Sequence, residues 1–343
     1  MKYLFYLIFP LLIFSQDPSF HEPWELEGAS ERIEKYRKTN TILNFNFPTD
    51  IKKKNGKLKI KLINHDFKFG VGFTQLRKMR GNMFDLYLER FNEVFNYATV
   101  GMYWALTDER SARKQIDKYY DDIIKWSIKN NVRLKGHPLM WHEGMPDWVR
   151  YSKDLDKLEV AMKTHMKRLI ETYPEINDWD VYNEPVGPFK PHIPYSAIQD
   201  WINHKGGIYP AMVEIYQFVN SINSDKNYSN NHYHAKDPEY FKINEYYVQK
   251  NLNFSSIGMQ AHMQSNDNVM TESQVWNQIE DYAVLGKNIQ FTEITVTSSK
   301  RFNNWKDHQE FLAKRDESLR NGKEMDLPSP VSYTHLTLPT STH

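Results

Sequence analysis

The sequence predicts an α/β protein of the (β/α)8 TIM-barrel class, incomplete in that an eighth strand and helix are not recognisable. Three observations carry this. From Phe67 onward, seven short apolar runs of strand character alternate with stretches of helical period, and repeated strand and helix units make a parallel sheet. The units fill about 250 residues, the size of one barrel. No GxGxxG loop follows the first run, which weighs against a doubly wound dinucleotide sheet.

The expected strands are FKFGVGF (67–73), YATVGMY (97–103), VRLKGHPLM (132–140), DWDVYNE (178–184), EYFKIN (239–244), SSIGMQAHM (255–263) and IQFTEITV (289–296). The clearest helices are 112–130, 156–173, 206–222 and 272–286, where apolar residues recur every three and four positions and so share one face. Ahead of the barrel, residues 20–38 form an aromatic and acidic lead-in in which Ser30 suits the N-cap of a short helix. In 41–63, KLKIKL alternates like a half-buried strand and Asn55–Gly56 suits a hairpin turn. The lysines there read as a solvated strand face.

Residues 1–16 have Lys2, an apolar run from Leu4 to Phe14, then small or polar residues, the pattern of a secretory signal too short to span a bilayer. The expected organisation is therefore a signal over 1–16, a lead-in with a small β segment over 17–66, the barrel over 67–330 and a foreign tail over 331–343. A secreted or periplasmic location follows. With no cysteine, an exported chain has no disulfides and relies on its core.

Lys and Arg total 44 against 43 Asp and Glu, a balance that offers no footprint for nucleic acid or an anionic membrane. A neutral partner fits better. Aromatic residues make up 14% of the chain and supply flat faces for a core or for a groove that takes uncharged ligands.

In a parallel barrel, functional groups gather at the carboxyl ends of the strands. The third run ends on His137, Trp141 and His142, the fourth on Asn183 and Glu184, the sixth on Gln260 and His262, the seventh on Glu293. Singly, each is explained by packing or solvation. Together they place two carboxylic acids among aromatics and neutral hydrogen-bonding groups, the arrangement that cleaves a glycosidic bond. The Asn-Glu pair alone is weak evidence, since it recurs at 92–93 and 244–245. His137, His142 and Glu143 raise a competing zinc reading, but HExxH is absent. A serine nucleophile lacks a GxSxG elbow.

GHPLMWH, WDVYNEP, IGMQAHM and FTEITV, in that order, resemble glycoside hydrolase family 10, the endo-1,4-β-xylanases, from about Glu31 to about Asn321. The resemblance implies a barrel that hydrolyses β-1,4-xylan with retention of configuration and without metal or cofactor. It implies Glu184 as acid/base and Glu293 as nucleophile. Asn183, His137, Trp141, Gln260 and His262, with His142 and Trp104, would bind the sugar. A β-1,4-glucanase of the same family, or a carbohydrate-binding protein inactive through truncation, are the alternatives. Oligomeric state is not specified.

Three departures stand out. Where the family has a Glu-Asn pair and then Lys-Trp after the second strand, TVGMYWALT keeps only Trp104. Only EYYVQKNLNF separates the fifth and sixth expected strands, a crossover shorter than parallel strands need. Past Asn321 the chain ends SPVSYTHLTLPTSTH, which leaves the first and seventh strands without neighbours.

Overall fold

A computed structural model of the chain describes residues 25, 27–44, 59–63, 66–74, 76–79, 82–108, 110, 114–296, 302–320 and 334–340. The expected signal, the Asn55–Gly56 turn, and residues 331–333 and 341–343 of the expected tail lie outside them. Two compact units are distinguished, Met1–Ile60 with Thr271–Trp276, and Lys61–Met270 with Asn277–His343. In the first, α1 (Ala29–Tyr36) has Gly28, at φ 71°, rather than Ser30 at its N-cap, and none of its residues is buried. Lys59–Ile63, from the expected KLKIKL strand, is irregular.

The described strands are β1 (Gly70–Gly72), β2 (Tyr97–Gly101), β3 (Arg133–His137), β4 (Met140–Trp141), β5 (Asp178–Asn183), β6 (Asn227–His232), β7 (Ser256–Met259), β8 (His262–Met263), β9 (Asn288–Val296) and β10 (Thr334–Thr340). A parallel ladder runs β1, β2, β3, β5, β6, β7, β9. Short β4 and β8 extend it in parallel beside β5 and β9. The described helices after α1 are α2 (Asn82–Val94), α3 (Trp104–Thr107), α4 (Lys114–Asn130), α5 (Asp147–Arg150), α6 (Leu155–Thr172), α7 (Ala197–His204), α8 (Ile208–Ile222), α9 (Pro238–Gln249), α10 (Glu272–Ala283) and α11 (Trp305–Arg320). None is long and apolar enough to cross a membrane.

Six of the seven expected strands form where their apolar runs lie. The fifth does not. EYFKIN belongs to α9, where Asp237 caps the Glu239 amide at 3.0 Å, Pro238 takes the first turn, and Tyr240, Ile243, Asn244 and Tyr247 are buried on one face. The strand at that place is β6, NYSNNH, whose polar residues hide it from an apolar search. The crossover is therefore not shortened, because α9 supplies a whole helix between β6 and β7.

Among the described residues the parallel ladder has seven main strands, and its edges are not bare. β10 lies antiparallel between β9 and β1 and pairs with both, so the tail supplies backbone partners that two open edges would lack.

The interior is partly polar. Lys135 is 0% exposed and holds Asp180 Oδ1 at 2.6 Å and Gln290 at 3.1 Å, because a buried charge without a partner is too costly to keep. Beside it, Gly136 must be glycine, since a Cβ there would lie 2.1 Å from the Trp179 ring.

Candidate active site

Glu184 follows the last residue of β5 with φ 59°, a left-handed conformation that costs on the order of 1 kcal/mol or more in a residue with a side chain. Two contacts hold it. Its amide donates to the Asn231 carbonyl and its carbonyl accepts from the Gly187 amide, each at 2.8 Å. The pairing of β5 with β6 is irregular between Asp180 and Asn183, and such bulges re-aim side chains at a barrel rim.

Glu184 is 8% exposed. It accepts from Trp141 Nε1 at 3.0 Å, Gln260 Nε2 at 2.9 Å and Asn183 Nδ2 at 3.3 Å. Burial, helped by the nearby charge of Glu293 and opposed by the Gln260 and Trp141 hydrogen bonds, pushes its pKa up to about 7.

Glu293, within β9, accepts from Asn231 Nδ2 at 2.8 Å and lies 3.3 Å from His262 Nε2 and 3.8 Å from His137 Nε2. Burial alone would raise its pKa. The His262 hydrogen bond, the charges of His137 and His262 and the Asn231 amide outweigh that and hold it well below the usual carboxylate range. His137 is oriented from behind by Asp180, whose Oδ2 is 2.8 Å from Nδ1. Burial disfavours charge on that ring, yet Asp180 and Glu293 raise its pKa above the ordinary value.

Five of the seven residues expected around the carboxylates are thus brought together: Trp141, Asn183 and Gln260 on Glu184, His137 and His262 on Glu293. Two are not placed to meet a sugar. Trp104 is 5% exposed, stacked on His165 at 4.6 Å and edge-on to Trp148 at 6.0 Å, so helix packing has claimed its faces. His142 is 1% exposed and stacks on Tyr182, and a Cβ on Gly187 would lie 2.6 Å from its ring. Tyr182 and Gly187 thus close the ring in from two sides.

The other Asn-Glu pairs fall on helices. Glu93 pairs with Arg90 at the surface of α2, and Asn244 faces Asn230 inside α9. The grouping of the competing zinc reading, His137, His142 and Glu143, also separates, since His137 is held by Asp180. His142, Glu143 and Glu184 instead each offer one donor atom within 4.8 Å of the others.

Sequence reasoning missed Asn231, Asp180 and Tyr103. Asn231 lies on the unrecognised β6. Asp180 sits inside an apolar run. Tyr103, just past β2, lies edge-on to His137 at 5.8 Å and tilted against Trp141 at 5.6 Å. Gly101 and Gly144 leave it room, with Cβ positions 3.2 and 3.3 Å from its ring. Burial first, then the charges of Glu293 and Glu184, push its phenol pKa up.

A barrel sheet of parallel strands, closed by one antiparallel strand, with two largely buried carboxylates toward the carboxyl ends of separate strands is the class that fold and site define. Residues 60–321 match the family model for glycosyl hydrolase family 10, and the chain belongs to that family. It is 25% identical over 182 residues to a beta-1,4-xylanase of Dictyoglomus thermophilum, covering 52% of this chain and 50% of that protein. It is 26% identical over 185 residues to endo-1,4-beta-xylanase A of Caldicellulosiruptor saccharolyticus, covering 51% and 53%. The chain spans about half the length of the curated relatives it matches. A solved family 10 structure from Paenibacillus barcinonensis shares the fold with a TM-score of 0.55 at 19% identity, over 74% of this chain and 78% of that one.

Proposed function

We propose that this chain hydrolyses internal β-1,4-xylosidic bonds of xylan with retention of configuration. The observation that carries the reading is the split between two acids at one mouth: Glu184 keeps a proton near neutral pH while Glu293 stays ionised. That division of labour is what a double displacement needs. Glu293 attacks the anomeric carbon while Glu184 gives its proton to the departing glycosidic oxygen. Glu184, now a base, then takes a proton from water, and that water's oxygen displaces Glu293.

The surrounding groups support each role. Trp141 and Gln260 hold Glu184 in one orientation through both of its oxygens, and Asn231, His262 and His137 keep electron density on Glu293. Residues 1–16 would direct export, so the mature chain would act outside the cytoplasm.

The test is release of reducing ends from xylan by the purified chain, beside E184Q and E293Q. Activity lost in both variants supports the assignment. Retention of xylan without cleavage would mark a binding protein, and preference for a β-1,4-glucan would move the substrate. N-terminal sequencing of material recovered from culture medium tests export.

A further inference from the structure

Glu143 has no part in the hydrolysis described above, yet it stands beside Glu184. One nitrogen of His142 and one carboxylate oxygen from each of Glu143 and Glu184 lie within 4.8 Å of one another. The His142 ring is 1% exposed, and among the described residues neither of its nitrogens has a hydrogen-bond partner. Buried polar atoms in that state are uncommon, because protein, water or an ion normally satisfies them. Its Nε2 lies 3.7 Å from Glu143 Oε1, and the Glu143 side chain is 37% exposed, which opens the cluster to solvent.

We propose that His142, Glu143 and Glu184 form an inhibitory site for a divalent transition-metal ion of the Zn2+ type. One imidazole and two carboxylates suit such an ion, whereas Mg2+ and Ca2+ take oxygen ligands. Tetrahedral Zn2+ holds its ligand atoms about 3.4 Å apart, so the cluster must contract, and exposed Glu143 is the arm that closes. Oε1 of Glu184 already accepts from Gln260 and Asn183, whereas Oε2 accepts only from Trp141 and keeps a further lone pair for the ion. Arg150 opposes the ion: its guanidinium donates to the Glu143 carbonyl at 2.7 Å. Asp147, 4.0 Å from Arg150 Nε, and the Glu143 carboxylate outweigh that single guanidinium charge. An ion on Glu184 competes with the proton that the leaving oxygen must receive, so metal binding stops bond cleavage. This consequence rests on the proposed acid/base role of Glu184.

Calorimetric titration with ZnCl2 after chelator treatment tests the site in the whole chain, beside E143Q and E184Q, with xylan hydrolysis followed at the same Zn2+ concentrations. The expected result is one binding event that weakens by about tenfold or more in each variant, a ligand's loss costing at least as much as loss of an outer-shell partner. Inhibition should be relieved to the same degree in E143Q, with its metal-free rate close to that of the wild type. No Zn2+ binding, or equal affinity in all three chains, overturns the proposal. So does inhibition that E143Q does not relieve. If xylan is not cleaved at all, the enzymatic reading fails, while the calorimetric comparison still decides the metal site.

Discussion

The Asn231 amide nitrogen donates both to Glu293 and to Asn183, each at 2.8 Å, and its Oδ1 accepts from Thr292 at 2.5 Å. One side chain thus ties β5, β6 and β9 together. Asn231→Ala removes a hydrogen bond to a charged group, worth about 1.5–3 kcal/mol. A fall in kcat/KM of about 10- to 150-fold follows. Because Asn231 helps hold the Glu293 pKa down, the acid limb of the pH profile should move upward. An unchanged profile would count against the bridge.

The pH dependence follows from the two carboxylates. The proposed double displacement needs Glu293 ionised, which is complete well below the ordinary carboxylate range, and Glu184 protonated, which is lost as pH rises through about 7. The kcat/KM profile should fall on the alkaline side near that value. Glu293→Gln removes a like charge, so the Glu184 pKa should drop. Burial is the larger cause, so it should stay above the ordinary glutamate value. Carboxyl titration by NMR reads both.

Tyr103 should affect substrate binding more than it affects the protonation of either acid. Its ring packs on Trp141 and His137, and an aromatic contact of this kind is worth about 0.5–1.5 kcal/mol beyond its area. Tyr103→Ala should raise KM for xylan by about 3- to 10-fold or more, while Tyr103→Phe keeps most of the effect. A loss confined to kcat would refute this role.

Asp180→Asn should be among the most damaging single changes in the barrel. It leaves Lys135 buried without its carboxylate, and breaking a buried pair costs about 3–5 kcal/mol. Urea unfolding should show the loss, and activity should fall with it because the His137 Nδ1 loses the negative charge that faces it.

Deleting residues 331–343 should destabilise the barrel. β10 pairs with β9 from Thr334↔Val296 to Thr340↔Ile289 and with β1 at Gly70↔Thr337, so deletion exposes two strand edges to intermolecular pairing. The measurable outcome is aggregation on expression or a broadened melting transition. An equally soluble, equally cooperative shortened chain would mean that β10 contributes nothing.

Six of the seven parallel strands and the positions of Glu184, Glu293, Trp141, Asn183, Gln260, His137 and His262 were legible in the sequence. Apolar runs that end in polar residues mark strand termini wherever a strand is buried among apolar neighbours. That signal fails at β6, because its buried Asn and Ser side chains bond to partners on other elements: Ser229 to Asp180, the Asn230 Nδ2 to Asn244, Asn231 to Asn183 and Glu293. It misleads at EYFKIN, where Tyr240 and Ile243 fit either period until the cap at Asp237 and burial of Tyr247 select a helix. Trp104 and His142 show the same limit in the site, since residue type says what a side chain can do and only packing says what it faces. The type of each acid and its place at a strand end were local information. Which acid keeps its proton was decided by burial around Glu184 and by the histidines and Asn231 around Glu293, groups that only the closed sheet brings within a few ångströms.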